Sequence, residues 1–242
     1  MSSIARCMGP FTALLLLGVA GAVRAEPVDL ELVLAADGSG SIDDGEMRLQ
    51  RQGYADAITD PEVVQAIASG FLGKIAVTYI EWGGAGSQHV IVDWSVIDGP
   101  ASARLFADRL VTAPRAATGW NSIANAIAFS HKLMDENVHE GARRIIDVSA
   151  DSGNHGGMPL PLARQAALDA DITINGLAIL CRECNGRPTT GDLEGHFRRD
   201  IIGGFGAFVV TVDSTTSFPE AVRRKLLLEI AQPRPDSHNP PG

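Results

Sequence analysis

Three things are scarce in this chain: cysteine, basic charge and long apolar runs. Lys and Arg number 20 against 29 Asp and Glu, giving a formal net charge of −9 over 242 residues. Basic residues form no large cluster: the longest run is Arg223-Arg224-Lys225, beside pairs such as Arg143-Arg144 and Arg198-Arg199. Nucleic acid and anionic membrane surfaces both demand a basic face, so neither is an expected partner. Beyond the first 25 residues there is no stretch of the ~18 apolar residues a helix needs to cross a bilayer. A phosphate-cradling Gly-x-x-x-x-Gly-Lys run, an internal repeat and a nucleophile paired with a base are likewise missing.

What is present is a globular composition, 45% hydrophobic and 20% charged, sized for one substantial domain or two small ones. Residues 1–25 read as an export signal. Arg6 opens it, Phe11 to Ala20 form a short apolar run, and Val23-Arg24-Ala25 offers small residues for cleavage. The remainder is expected to be extracytoplasmic, periplasmic or secreted, with no membrane insertion once the signal is removed. Cys7 precedes the apolar run and so is not placed for lipid attachment. Cys181-Arg182-Glu183-Cys184 has the spacing of half a zinc site, a redox pair or a small disulfide loop. No second pair exists and His196 alone does not complete a tetrahedral set, so in an oxidising compartment the disulfide is favoured. The end of the chain is a Pro-rich tail over 233–242 (Pro233, Pro235, Pro240, Pro241), expected to be disordered.

Between these segments, apolar β-rich runs alternate with amphipathic helical patterns. Strands are expected at Val28 to Ala36, Lys74 to Trp82, His89 to Val96, Arg144 to Ser149, Ile172 to Ile179 and Ala207 to Val212. Helices are expected over 43–69, with a break at Asp60-Pro61, and over 100–112, 122–136, 160–170 and 217–231. The short connector Gly83 to Ser87 makes the second and third strands an antiparallel hairpin. Near-continuous Val/Ile/Leu strands predict an α/β fold: a doubly wound, mainly parallel six-stranded sheet with one antiparallel strand and helices on both faces. Ligands of such sheets bind beyond the carboxyl ends of strands, which directs attention to the loops 37–41 and 151–157.

Asp37-x-Ser39-x-Ser41 places three oxygen-bearing side chains at alternate positions just past a buried strand. Such hard donors suit Mg²⁺, Mn²⁺ or Ca²⁺ and not zinc. Asp151 stands at the end of another central strand, and adjacent strands would bring both carboxylates into one crevice. Rival motifs fail on spacing. An EF-hand loop from Asp37 would need Gly and Glu where Ile42 and Arg48 stand, and a Gly-x-Ser-x-Gly elbow would need Gly at Asp37. Simpler roles compete as well: Asp37 and Ser41 as caps of the first helix, Asp43, Asp44 and Glu46 as its solvated first turn, Glu81-Trp82 as a structural strand end, His155 as loop rim.

On these residues the chain resembles the von Willebrand factor A-type (vWA) domain and its metal-ion-dependent adhesion site, or MIDAS. The resemblance covers ~28 to 231, with the vWA-like domain set at 26–232. More narrowly the chain is similar to a bacterial exported family, DUF1194. The phrases Tyr79-Ile80-Glu81-Trp82, Arg143 to Ser149, Ile174 to Ile179 and Lys225 to Ala231 carry that likeness. The resemblance implies a divalent cation, Mg²⁺ first and Mn²⁺ or Ca²⁺ next, held by Asp37, Ser39, Ser41, Asp151 and a residue of a third loop. In the family that residue is a threonine five positions before a helical alanine; counting back from Ala126 gives Asn121, with Thr118 or Ser122 as substitutes if the loop shifts. The resemblance implies a non-enzymatic module that engages a carboxylate of a partner protein. The alternatives are a metal-independent scaffold with a degenerate site, and a metal-assisted hydrolase using Asp37 and Asp151.

Overall fold

The structure, a computed structural model, describes residues 25–180, 191–213 and 217–231. The expected export signal apart from Ala25, the pair Cys181 and Cys184, and the Pro-rich tail lie outside the described residues.

The central strand, β2 (Glu31–Asp37), follows a short β1 (Glu26–Val28) and is buried along its whole length. Its side chains divide the core by simple alternation, since successive residues of a strand point to opposite faces. Leu32, Leu34 and Ala36 face one layer; Val33 and Ala35 face the other. The first layer is built by α1 (Asp44–Thr59), α2 (Pro61–Ala68), α3 (Pro100–Thr112) and α7 (Phe218–Ala231), through Tyr54, Ile67, Phe106 and Leu226 among others. The second is built by α4 (Ile123–Glu136) and α5 (Leu160–Asp169). Each fully buried Leu, Ile or Phe in these layers contributes roughly 1.5–3 kcal/mol.

The remaining strands are β3 (Ile75–Trp82), β4 (Gln88–Ile97), β5 (His139–Gly141), β6 (Arg144–Ala150), β7 (Ile172–Ile179) and β8 (Val209–Val212). The main sheet has six strands in the order β4-β3-β2-β6-β7-β8. All its pairings are parallel except β3 with β4, the expected hairpin. β3 and β6 flank β2 on opposite sides, so the strand order reverses at β2 and opens a crevice beyond its carboxyl end. Among the described residues no helix is long and apolar enough to cross a membrane.

Local chemistry sets the helix boundaries. Asp43 caps α1 by accepting from the Gly45 and Glu46 backbone N–H groups (2.7 and 2.8 Å), while Glu46 accepts from the Asp43 N–H at 2.9 Å. This reciprocal box fixes the helix start, so Asp37 and Ser41 are not its caps. Pro61 at the first position of α2 removes an N–H that would have no partner, and Asp60 caps the Glu62 N–H at 2.8 Å.

One expected strand is interrupted, and one segment without an expected element is helical. The strand expected from Val28 to Ala36 is broken at Asp29, whose carboxylate accepts from the backbone N–H groups of Leu72 and Lys74 (2.9 and 3.3 Å). β1 leaves the main sheet and pairs in parallel with β5. Glu31 locks that small sheet in place, accepting from the Gly141 N–H at 2.6 Å and the Asn137 amide at 2.7 Å. Secondly, the segment before β8 holds a short helix, α6 (Leu193–His196), running into a π-helical turn, Phe197–Ile201. Phe197 and Ile201 are buried in the second layer, and Phe197 packs over Gly176 of β7, where a side chain would collide with its ring.

Candidate metal centre at the strand ends

Asp37 is the last residue of β2, and Asp151 directly follows the last residue of β6. The parallel register pairs Ala35 with Val148, so both acids emerge at the same edge of the sheet. Asp37 is fully buried, Asp151 half-buried, Ser39 buried and Ser41 exposed.

The first loop folds back on Asp37, whose Oδ1 accepts from the Ser39 N–H at 2.8 Å. This local bond, together with Gly38 passing close against Ala117, turns the chain sharply enough to align the two hydroxyls. Ser39 Oγ and Ser41 Oγ lie 3.1 Å apart, and Ser41 Oγ donates to Asp151 Oδ2 at 3.1 Å. The third loop supplies Asn121, almost fully buried. Its Nδ2 donates to Asp37 Oδ2 at 3.2 Å, to Asp151 Oδ1 at 3.4 Å, and to Ser152 Oγ. Asp37, Ser39, Ser41, Asn121 and Asp151 therefore meet in one pocket. Ser122 is engaged elsewhere, donating to Asn125 Oδ1 at 2.8 Å and to the Gly156 carbonyl at 3.2 Å. Thr118 is fixed through its backbone: its N–H donates to Ser87 Oγ at 2.9 Å, and its carbonyl accepts from Gly84 N–H at 2.9 Å.

The third loop is held by Glu81, named above only as a structural strand end, and by two arginines that the sequence pattern does not single out. Arg51 of α1 and Glu81 of β3 form a buried ion pair, with Arg51 Nε donating to Glu81 Oε1 at 2.7 Å. The same guanidinium donates to the carbonyls of Ala113 and Pro114, and Glu81 Oε2 accepts from the Ala116 N–H at 3.4 Å. Arg115 closes the other side, donating to the carbonyls of Gly38 and Ser39 at 3.3 and 3.2 Å. A glutamate ending an otherwise apolar, buried strand was the available signal, since such a charge needs a partner. The Asp151 loop is stitched to α4 instead: Asn154 Oδ1 accepts from Ala124 N–H at 2.9 Å, and His155 N–H donates to the Asn121 carbonyl at 2.5 Å.

His155 stands exposed on the rim of an adjoining cleft of about 360 Å³, lined also by Asp151, Ser152, Asp192 and His196. The His196 ring packs over Gly153, and its Nδ1 pairs with Asp200 Oδ2 at 2.8 Å. Among the described residues, no group of three or more His, Cys, Asp or Glu side chains is placed to hold a metal ion. The strand-end cluster differs in kind, with two carboxylates and its other donors drawn from serine and asparagine.

Four residues before Asp151, within β6 itself, stands another acid, Asp147, facing the α1/α7 layer. Lys225 Nζ of α7 lies 2.6 Å from Asp147 Oδ1 and 2.5 Å from Glu229 Oε1, and all three residues are buried. Burial pushes the Asp147 carboxyl up, and it pushes Glu229 up to about 7, with the nearby Lys225 ammonium opposing both shifts.

The profile of a family described as "Protein of unknown function (DUF1194)" matches residues 27–234. The chain belongs to the DUF1194 family. No curated protein matches this DUF1194 chain. Among solved structures, it is similar to the pilus adhesin SpaC from Lactobacillus rhamnosus GG, at 13% identity and a TM-score of 0.58, covering 85% of this chain and 30% of that one. It is similar also to proximal thread matrix protein 1 from the mussel byssus, described with a zinc-occupied MIDAS motif, at 13% identity and a TM-score of 0.57, covering 87% of this chain and 48% of that one. The DUF1194 chain thus spans less than half the length of either neighbour. At such identities the likeness is one of fold, and that fold is vWA-like.

Proposed function

We propose that this protein is a non-enzymatic, extracytoplasmic binding module. In this reading a divalent cation sits among Asp37, Ser39, Ser41, Asn121 and Asp151 and takes a carboxylate of a partner protein into its coordination shell. The observation that carries the reading is the meeting of three loops. A hydroxyl from the first loop and an amide from the third both bond Asp151, which comes from a different strand. The donors fit the group: two carboxylates, two hydroxyls and an amide able to turn its oxygen inward form an all-oxygen set, the preference of Mg²⁺, Mn²⁺ and Ca²⁺. When bound, the cation supplies a local positive focus on an acidic protein, and hence attraction for an outside anion. The chain's own residues do the positioning, with Arg51, Glu81 and Arg115 holding the third loop against the first.

The test is calorimetric titration and thermal shift with Mg²⁺, Mn²⁺ and Ca²⁺. Zn²⁺ is included because the mussel protein is described with zinc in its motif. Binding is expected in wild type and is expected to vanish in Asp37→Ala. Absence of heat and thermal shift in wild type, or an unchanged response in Asp37→Ala, removes the cation.

One observation favours a second reading, a metal-free module. Asn121 already bridges both carboxylates with its amide N–H₂ group. In that case chelator leaves partner capture from an extracytoplasmic fraction unchanged.

A further inference from the structure

We infer that Trp120 is the apolar anchor of this same site, and that the partner presents its carboxylate beside an aliphatic or aromatic side chain. The inference rests on the cation-dependent reading above and specifies the chemistry of its partner.

The chain has three tryptophans. Trp82 is completely buried, and Trp94 packs against the second core layer. Trp120 is 80% exposed and directly precedes Asn121. Across the loops that bound the site, 37–43, 83–87, 113–122 and 151–159, it is the one large apolar side chain among the described residues that stands in solvent. Phe71 is more exposed still, but it lies in the turn before β3, at the opposite edge of the sheet.

The backbone around Trp120 is held from several directions. Gly40 N–H donates to the Gly119 carbonyl at 2.8 Å, tying the loop to the serines. Gly84 N–H donates to the Thr118 carbonyl at 2.9 Å, and Ser122 N–H to the Gly83 carbonyl at 2.8 Å. Gly119 has a φ of +90°, and a side chain there would press on Gly84 at 3.2 Å, so the turn needs glycine at this position. The indole therefore projects from a fixed base beside neighbours without side chains. On such a fixed backbone a tryptophan contributes a large contact area with only two side-chain torsions left to immobilise on binding, a property that suits it to dominant interface positions.

Charge points the same way. Ligation of one carboxylate is open to any acidic protein, and a chain of net charge −9 repels acidic partners at long range. Selectivity then has to come from a contact beside the cation that charge does not oppose, and the exposed indole next to Asn121 provides it.

The test uses the full mature chain and two panels of short fluorescent peptides. Each peptide carries one Asp or Glu, flanked by Leu or Phe in one panel and by Gly or Ser in the other. Binding is read by polarisation in Mg²⁺ or Mn²⁺. The expected result is cation-dependent binding that favours the apolar panel, weakened about tenfold or more by Trp120→Ala and largely kept by Trp120→Phe. The Gly/Ser panel should bind both proteins equally weakly. Cation affinity and melting temperature of Trp120→Ala should match wild type, because the side chain is exposed. Cation-dependent binding indifferent to Trp120→Ala overturns the inference and leaves the adhesion-type site standing. Binding that survives EDTA and Asp37→Ala overturns the reading beneath it. Failure of both panels to bind with any of these ions overturns the inference as stated.

Discussion

Two acids four residues apart, Asp147 within β6 and Asp151 directly after it, are treated by the protein in opposite ways. Asp147, in the middle of the strand, is enclosed with Glu229 around the Lys225 ammonium, a group the fold supplies from α7. Asp151, just past the strand end, is bridged to Asp37 by the Asn121 amide and accepts from the Ser41 hydroxyl, in a pocket where Ser41 is exposed. The interior group is built from the chain's own charges and closed to solvent. The strand-end group lies where an outside ion and an outside ligand can enter. Solvent access at Ser41 and Asp151 thus separates a candidate binding site at the end of β6 from a structural charge cluster enclosed around its middle.

Removing the interior cation should have the largest effect. Lys225→Met leaves Asp147 and Glu229 buried without their ammonium, and the loss of one partner from such a group costs about 3–5 kcal/mol. Urea unfolding measures it. A variant that loses less than about 1 kcal/mol would show that the interior cluster is not held together by its charge.

The interior pair should also leave a signature in pH. Glu229 has its folded pKa raised from 4.5 to about 7, so the folded chain keeps a proton that the unfolded chain has released. With more protons bound in the native state, stability falls as pH rises through the window from 4.5 to about 7, then levels off. The raised Asp147 acts in the same direction. Glu26 and Asp192 are lowered by Lys74 and Arg199, so their contribution has the opposite sign. Both lie on the surface, where solvent screening leaves little of it. Glu229→Gln should flatten the profile, removing a slope worth up to about 3 kcal/mol, as read from urea unfolding at about pH 5 and about pH 8. An unchanged slope in Glu229→Gln would assign the pH dependence to other groups.

The contrast also shows what could be read from sequence. The strands of the main sheet and the Asp60-Pro61 break are visible because alternation and proline chemistry act locally. The interior cluster is not visible, because helical periodicity takes charged residues as the solvent face, and Lys225 and Glu229 point inward on α7. Asp29 and Glu31 interrupt what otherwise reads as one strand; their hydrogen bonds to distant backbone decide the break, and no local pattern reports them. Leu193, Phe197 and Ile201 did carry a signal, apolar residues every four positions, shortened by Gly195. At the strand ends, Asp37, Ser39, Ser41 and Asp151 follow from spacing, whereas Asn121 follows only from the vWA resemblance, by counting back from Ala126. Arg51 and Arg115 do not, since Arg51 reaches the third loop from α1, and Arg115 reaches from that loop to Gly38 and Ser39, across distances in sequence that only the fold closes.

Asn121 offers the finest test, because it stands where the vWA resemblance implies a threonine. An amide is longer than a hydroxyl, and in this structure it presents its N–H₂ group to both carboxylates. For its oxygen to face a cation the amide must turn over and give up those bonds, at a cost of about 1 kcal/mol for each net hydrogen bond lost. Asn121→Thr removes that competition and supplies a hydroxyl, so Mg²⁺ and Mn²⁺ should bind several-fold more tightly by calorimetry, with the melting temperature without added metal slightly lowered. Asn121→Ala, lacking any donor oxygen, should bind more weakly than either. If all three proteins bind cation equally, the third loop takes no part in ligation and the site is held by the first loop and Asp151 alone. If none binds, the amide bridge is the finished structure, and the two acid pairs of this sheet differ in depth but not in purpose.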